Sequence, residues 1–136
     1  MTTSATALAA YKASTVPDVL RNAARYLADH GWLRNHLYDD YTNPTPRACA
    51  LGAILIAAYG QLAVTPFEDT NHYGEAEVDR YRKARSALEK HLGGRIYIGD
   101  WNDAIWDDNA GQTAAHVITV LNNTADTYES AVQKGR

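Results

Sequence analysis

The sequence has little of several features that often define a protein's class. Its 136 residues include a single cysteine, so no disulfide can form within the chain, which favours a reducing compartment. Thirteen lysines and arginines stand against 16 aspartates and glutamates, and the net charge of -3 argues against a broad surface for nucleic acid. The longest apolar run, Ala48–Tyr59, is too short to span a bilayer.

Signals for targeting, metals and cofactors are also missing from the sequence. Met1–Ala13 has no basic head followed by a long apolar core, so we expect no signal peptide, a cytoplasmic location and no membrane contact. No pair of histidines or cysteines has the spacing of a zinc site, and the sequence contains no phosphate-binding loop. We therefore predict no metal and no cofactor.

What is present is the composition of an ordinary globular domain, 46% apolar and 21% charged. A chain of this size buries about two-thirds of its unfolded surface, which is enough for a core without a disulfide or a metal. We see no internal repeat and no second domain. The predicted organisation is a weakly ordered N-terminal segment over residues 1–14 and a single helical domain over residues 15–132.

Four segments combine a helical period of apolar residues with helix-end signals. Thr15 and Pro17 are typical of a helix start, and Gly31 is typical of a helix end. The second segment begins with Thr45 as cap and Pro46 in the first turn, and it is apolar on nearly every face. A helix of that kind belongs at the centre of a domain. The predicted helices cover residues 15–30, 46–59, 75–92 and 113–132.

These segments predict a mainly α fold, a single compact domain of about four helices around the central apolar helix. Arg95–Ile98 alternates towards β character, and because no partner strand is evident, we leave open either a short extended segment or a strand of a sheet there. Gly52 lies inside the central helix, where glycine costs about 1 kcal/mol relative to alanine. That cost indicates close approach by a neighbouring backbone or by an aromatic ring.

Cys49 supports two opposite hypotheses. In the first turn of the central helix, its thiol could be activated by the helix dipole and by a histidine, with Asp103 in support. Its neighbours Ala48, Ala50 and Leu51 are apolar, however, and apolar burial raises the pKa of a thiol. We favour the second hypothesis, a small hydrophobic residue in the core. No local pattern marks a partner among the histidines, which are His30, His36, His72, His91 and His116.

The segment Asp100–Asp108 is acidic and aromatic. It does not fit the register of a calcium-binding EF-hand loop, so a cation site there is left open but is not favoured. We expect Asp103 to accept hydrogen bonds from backbone or indole N–H groups, and Trp101 and Trp106 to pack inward. Elsewhere, Tyr38 and Tyr41 lie in a polar loop and are the best candidates for exposed aromatic residues that bind a partner.

Three motifs occur in a fixed order: Gly31-Trp32, Cys49-x-x-Gly52-Ala53 and Trp101-Asn102-Asp103. In this combination the chain resembles a family of small proteins of unknown function from actinobacteria and their phages. The resemblance implies a compact helical domain in a bacterial or phage cytoplasm, and it implies no reaction. We expect the motif residues to meet in space, with Trp32 packed across Gly52 and the turn at 101–103 beside Cys49.

Two functions follow as hypotheses. The leading one is a non-enzymatic protein-interaction or accessory module, because the sequence contains no cofactor loop, metal spacing or convincing catalytic set. The alternative is a small cysteine-dependent hydrolase or transferase that uses Cys49. We expect a protein partner, disfavour nucleic acid, and leave a homo-oligomer open.

Overall fold

The computed structural model describes residues 7–33, 36–63, 68–93 and 113–134. These residues form a mainly helical fold, as predicted, and they contain isolated β-bridges but no strand. The extended segment or strand left open at Arg95–Ile98 lies outside the described residues. The four principal helices are α1 (Val16–His30), α2 (Ala50–Tyr59), α3 (Glu75–Leu92) and α4 (Ala114–Lys134).

The ends of α1 follow the local signals in the sequence. The Thr15 hydroxyl accepts a hydrogen bond from the Asp18 N–H at 3.3 Å, and the proline at position 17 suits the first turn. At the other end, Gly31 has a φ of 106° and donates its N–H to the Leu27 carbonyl. The predicted start and end of this helix are therefore confirmed.

The central helix begins later than predicted. It starts at Ala50 with Cys49 as its N-cap, whereas the Thr45-Pro46 signal placed its start at residue 46. The physical reason is that residues 46–48 use their backbone groups in pairing with distant segments. The Tyr26 hydroxyl donates to the Pro46 carbonyl at 2.6 Å, and the Ala48 backbone is bridged to both Trp32 and Tyr38.

Helix α2 is the buried centre of the domain, and all ten of its residues are buried. Helix α1 packs against α2 and makes its most extensive contact with α4, while α3 packs against α2 from another side. Helices α3 and α4 meet each other least among the principal contacts. The packing thus confirms a mainly α domain built around one apolar helix.

An ion-pair network fastens α1 to α4. Arg21 donates to Asp126 at 2.8 Å and to both carboxylate oxygens of Glu129, at 2.9 and 3.4 Å. All three side chains are partly exposed, so solvent screening limits the contribution of each pair to stability. The network therefore contributes little to the stability of the fold.

Residues 7–14 pack onto the helical core. Leu8, Tyr11 and Ala13 are buried, and the Ala13 N–H donates to the Ala57 carbonyl at 2.9 Å. The Tyr11 hydroxyl donates to Asp29 at 2.5 Å, which ties this segment to the end of α1. Part of the segment that the sequence set apart as residues 1–14 therefore contributes to the core, and residues 1–6 lie outside the described residues.

Gly52 is the point of closest approach to α2. A Cβ added at this position would lie 2.5 Å from the Leu37 carbonyl oxygen and 3.1 Å from a ring carbon of Tyr38. The expected approach of a backbone and an aromatic ring is confirmed. The expectation that Trp32 packs across Gly52 is wrong, because the nearest atoms belong to Leu37 and Tyr38. Residues 36–38 occupy that space since their backbone pairs with Ala48 and Cys49.

We expect Gly52→Ala to lower the free energy of unfolding by about 2 kcal/mol, because overpacking against a backbone oxygen outweighs the gain in helix propensity. Chemical denaturation followed by circular dichroism measures this change. Gly74→Ala is the matched control, since its added carbon meets only the flexible Glu77 carboxylate, and it should cost less than about 1 kcal/mol. Equal losses from the two variants would contradict the assigned packing.

Candidate functional site

Cys49 is fully buried at the N-terminus of α2. Its Sγ accepts a hydrogen bond from the Gly52 N–H at 3.2 Å, so the thiol acts as the cap of the helix. Burial raises the pKa of the thiol from its ordinary value of 9.0 to about 12, and the backbone hydrogen bonds only partly offset this increase. The thiol is therefore protonated at neutral pH, which is the opposite of an activated nucleophile.

Two of the five histidines pack against tyrosine rings, and the other three are exposed. The His30 ring lies 4.7 Å from the Tyr26 ring, and its Nε2 is 3.2 Å from the Tyr11 hydroxyl. His72 packs against Tyr73, while His36, His91 and His116 are exposed. None of the five is among the groups that shift the pKa of Cys49. Asp103, the proposed supporting acid, lies outside the described residues.

The family-motif residues are partly brought together. Gly31 and Trp32 lie beside Ala48, because the Ala48 N–H donates to the Gly31 carbonyl at 3.2 Å. Cys49 follows directly, and its carbonyl accepts from the Ala53 N–H at 2.8 Å. The indole N–H of Trp32 is buried and has no hydrogen-bond partner within the described part of the chain. The third motif, Trp101, Asn102 and Asp103, falls outside that part.

The two tyrosines of the predicted binding loop differ in exposure. Tyr38 is only 3% exposed, so its expected exposure is wrong, and its hydroxyl accepts from the Ala63 N–H at 3.3 Å. Burial raises the pKa of Tyr38 well above its usual range. Tyr41 is 54% exposed, as expected, and its ring packs edge-on against Tyr38. It borders a cavity of about 260 Å³, together with Leu8, Thr42, Asn43, Pro44, Gln61 and Leu62.

A larger open groove lies between α3 and α4. Its volume is about 680 Å³, and Val132, on its α4 side, is 44% exposed. Among the described residues, Val132 and Tyr41 are the exposed large hydrophobic side chains, and each borders one of the two cavities. The α4 side of the groove carries Thr124, Thr127, Tyr128, Ala131 and Val132.

The α3 side of the groove is mostly charged. It presents Asp79, Arg82, Lys83, Ser86, Ala87, Lys90 and His91. Arg82 pairs with Glu68 at 3.0 Å and Lys83 pairs with Asp79 at 3.1 Å. The groove was not predicted from the sequence. The available signal was Val132, which continues the apolar stripe of α4 close to its end.

Neither a metal centre nor a membrane span emerges from the geometry of the described ranges. Within them, no group of three or more histidine, cysteine or acidic side chains could hold a metal ion. No helix there is long and apolar enough to cross a membrane.

We expect Cys49 to resist thiol reagents in the native protein. A buried thiol reacts through its rare ionised form and only when the structure opens, so modification at pH 7 should be at least about a thousandfold slower than in urea. Absorbance of the thiolate released by an aromatic disulfide reagent measures both rates. A native rate close to that of the unfolded chain would contradict the buried position of the thiol.

We expect the stability of the protein to fall at alkaline pH. Burial raises the pKa of Cys49 to about 12, so the unfolded state loses the thiol proton first, from about pH 9. The stabilisation is complete below pH 9 and is lost as the pH rises towards 12, and the raised pKa values of the buried Tyr26 and Tyr59 act in the same direction. Urea midpoints measured from pH 7 to 11 test this prediction.

The matched variant is Cys49→Ser, which keeps a capping oxygen but does not titrate in this range. Its urea midpoint should fall less steeply with pH than that of the unaltered protein. Identical slopes would show that the thiol does not contribute to the pH dependence.

Comparison with known proteins adds a family but no activity. No curated protein and no solved structure matches the chain. Residues 12–127 match the family model described as "Family of unknown function (DUF6197)". Because this match covers well over half of the sequence, the chain belongs to the DUF6197 family of unknown function.

Proposed function

We propose that this protein is a non-enzymatic protein-interaction module that binds a segment of another protein in the groove between α3 and α4. The observation that carries the proposal is the open groove of about 680 Å³ with the partly exposed Val132 on its border. The resemblance to small actinobacterial and phage proteins supports a bacterial or phage cytoplasm as its setting.

The physical argument is the apolar surface left in contact with water. Tyr128 and Ala87 are only partly buried in the groove, and Ala131 and Val132 are exposed beside them. Burying such surface gains about 25 cal/mol per Å², and contiguous exposed apolar patches commonly mark interaction sites. A partner that covers these four side chains would recover this energy.

The enzymatic alternative has less support. It requires an ionised thiol within reach of a base, whereas burial raises the pKa of Cys49 to about 12 and the thiol caps α2. The Tyr41 loop is a weaker binding surface than the groove, since its cavity is about 260 Å³ and Tyr38 is buried beneath it. We therefore place the main contact surface on α3 and α4.

The test uses a photo-crosslinking amino acid at single positions in the full chain. We expect the Ala87 and Val132 positions to capture the same protein from a lysate of the source organism. Ala28, an exposed residue of α1 that does not line the groove, is the matched control and should capture nothing specific. A Val132→Asp substitution should abolish capture at position 87, because a carboxylate opposes burial of the groove.

The captured protein is then purified and titrated against the unaltered chain and the Val132→Asp variant. At least a tenfold loss of affinity in the variant supports the groove as the contact surface. Capture at Tyr41 alone, or equal capture at Ala28 and Ala87, would contradict the proposal.

A further inference from the structure

We infer that the groove binds an amphipathic helical segment whose edge facing α3 carries acidic side chains. This inference depends on the proposed function and specifies the chemistry of the partner. It follows from the distribution of charge around the groove, from the pairing of those charges and from the shape of the groove.

The charge in the groove is one-sided. The α3 side carries three exposed cations, Arg82, Lys83 and Lys90, and the imidazole of His91, against one acidic residue, Asp79. The side chains that line the α4 side are uncharged. This basic wall occurs on a chain whose net charge is -3, so it is a local feature and not a consequence of composition. A ligand with acidic groups along one edge and apolar groups along the other matches both walls.

Part of this positive charge has no internal counterpart. Arg82 and Lys83 are paired with Glu68 and Asp79, but Lys90 and His91 form no ion pair with any described residue. Both residues lie in the last turn of α3, where the Lys90 ammonium faces the negative end of the helix dipole. Their exposed side chains remain available to a carboxylate, so the C-terminal end of α3 is where an acidic partner gains most.

The shape of the groove favours a helix over a small molecule. Small ligands bury most of their surface in enclosed cavities, whereas this groove is open to solvent between two helices. Helices pack by fitting side-chain ridges into the grooves of their neighbours, and amphipathic helices bind other proteins in this way. An acidic amphipathic helix therefore fits the uncharged α4 side of the groove, its basic α3 side and its opening to solvent.

The experiment uses defined peptides and the full-length protein. The first probe is a fluorescent helical peptide of about five turns, with leucines on one face and glutamates on its flanks. The second has lysine in place of every glutamate, and the third has the composition of the first in scrambled order. We expect the glutamate peptide to bind at least tenfold more tightly than either of the others, measured by fluorescence anisotropy.

Two matched substitutions locate the binding site. Ser86→Glu puts a negative charge in the groove, and Ala28→Glu makes the same change of charge on an exposed position of α1. The groove variant should weaken the glutamate peptide about tenfold, while the control should leave its affinity within about twofold. Binding should also weaken as salt rises from about 50 to 300 mM, because screening acts on exposed charge pairs.

Each other outcome overturns the inference. Equal binding of the glutamate and lysine peptides would contradict an acidic partner, and so would equal effects of the two substitutions. Crosslinks from position 87 to residues 94–112 of the same chain, or to a second copy, would assign the groove another occupant.

If capture at Ala87 and Val132 succeeds but the glutamate peptide does not bind, the partner chemistry is wrong and the proposed function stands. If capture fails as well, both are wrong.

Discussion

The Leu37 carbonyl oxygen lies over the first turn of α2, where it accepts the Cys49 N–H at 3.0 Å. It comes so near to Gly52 that a Cβ there would be 2.5 Å away. This contact depends on the absence of a side chain at position 52, and much of the surrounding arrangement depends on the contact. It brings Tyr38 into the core and closes off the start of α2, so that Cys49 is fully buried. Cys49 and Tyr38 are consequently part of the packed core.

The same contact limits which residues of the loop before α2 reach solvent. Residues 37 and 38 are hydrogen-bonded or bridged to the start of α2, so the Tyr38 side chain packs in the core. Of the two tyrosines Tyr38 and Tyr41, which pack edge-on against each other, only Tyr41 reaches solvent. Helix α2 is buried on all sides and offers no surface to a partner. Helix α1 is occupied by α2, by α4 and by the Arg21 ion pairs. Among the described helices, the outer surface where α3 and α4 meet borders the larger of the two cavities described above.

Local signals in the sequence were sufficient for most of the fold. Thr15 and Gly31 mark the ends of α1, and the bounds of α3 follow from its apolar period and from Gly93, because capping depends on adjacent residues. The start of α2 could not be predicted in this way. Thr45-Pro46 is a valid local signal, but the backbone of 46–48 is already engaged by Tyr26, Trp32 and Tyr38, which are distant in sequence.

The candidate site was harder to predict than the fold for the same reason. A polar loop indicates exposure, yet the position of Tyr38 is decided by Gly52, which lies on another element. Apart from the late apolar residue Val132, the sequence gives no sign of the groove, because the groove requires the relative placement of α3 and α4. Cys49 was the exception, since the apolar residues on either side of it already indicated burial, and burial decides its pKa.

The limited contact between α3 and α4 explains why a groove exists. Each helix packs its apolar stripe against another part of the core, so the two meet only along their margins. Residues at the edges of the two helices, such as Ala87 and Tyr128, are therefore only partly buried, and they line the groove. The charged outer face of α3 then becomes one wall of the groove, because the helix that buries Val78, Tyr81, Ala84 and Leu88 must turn its charged residues outward. The amphipathic pattern that folds α3 onto α2 thus also places a basic wall beside an apolar floor, which is the combination that an acidic amphipathic partner requires.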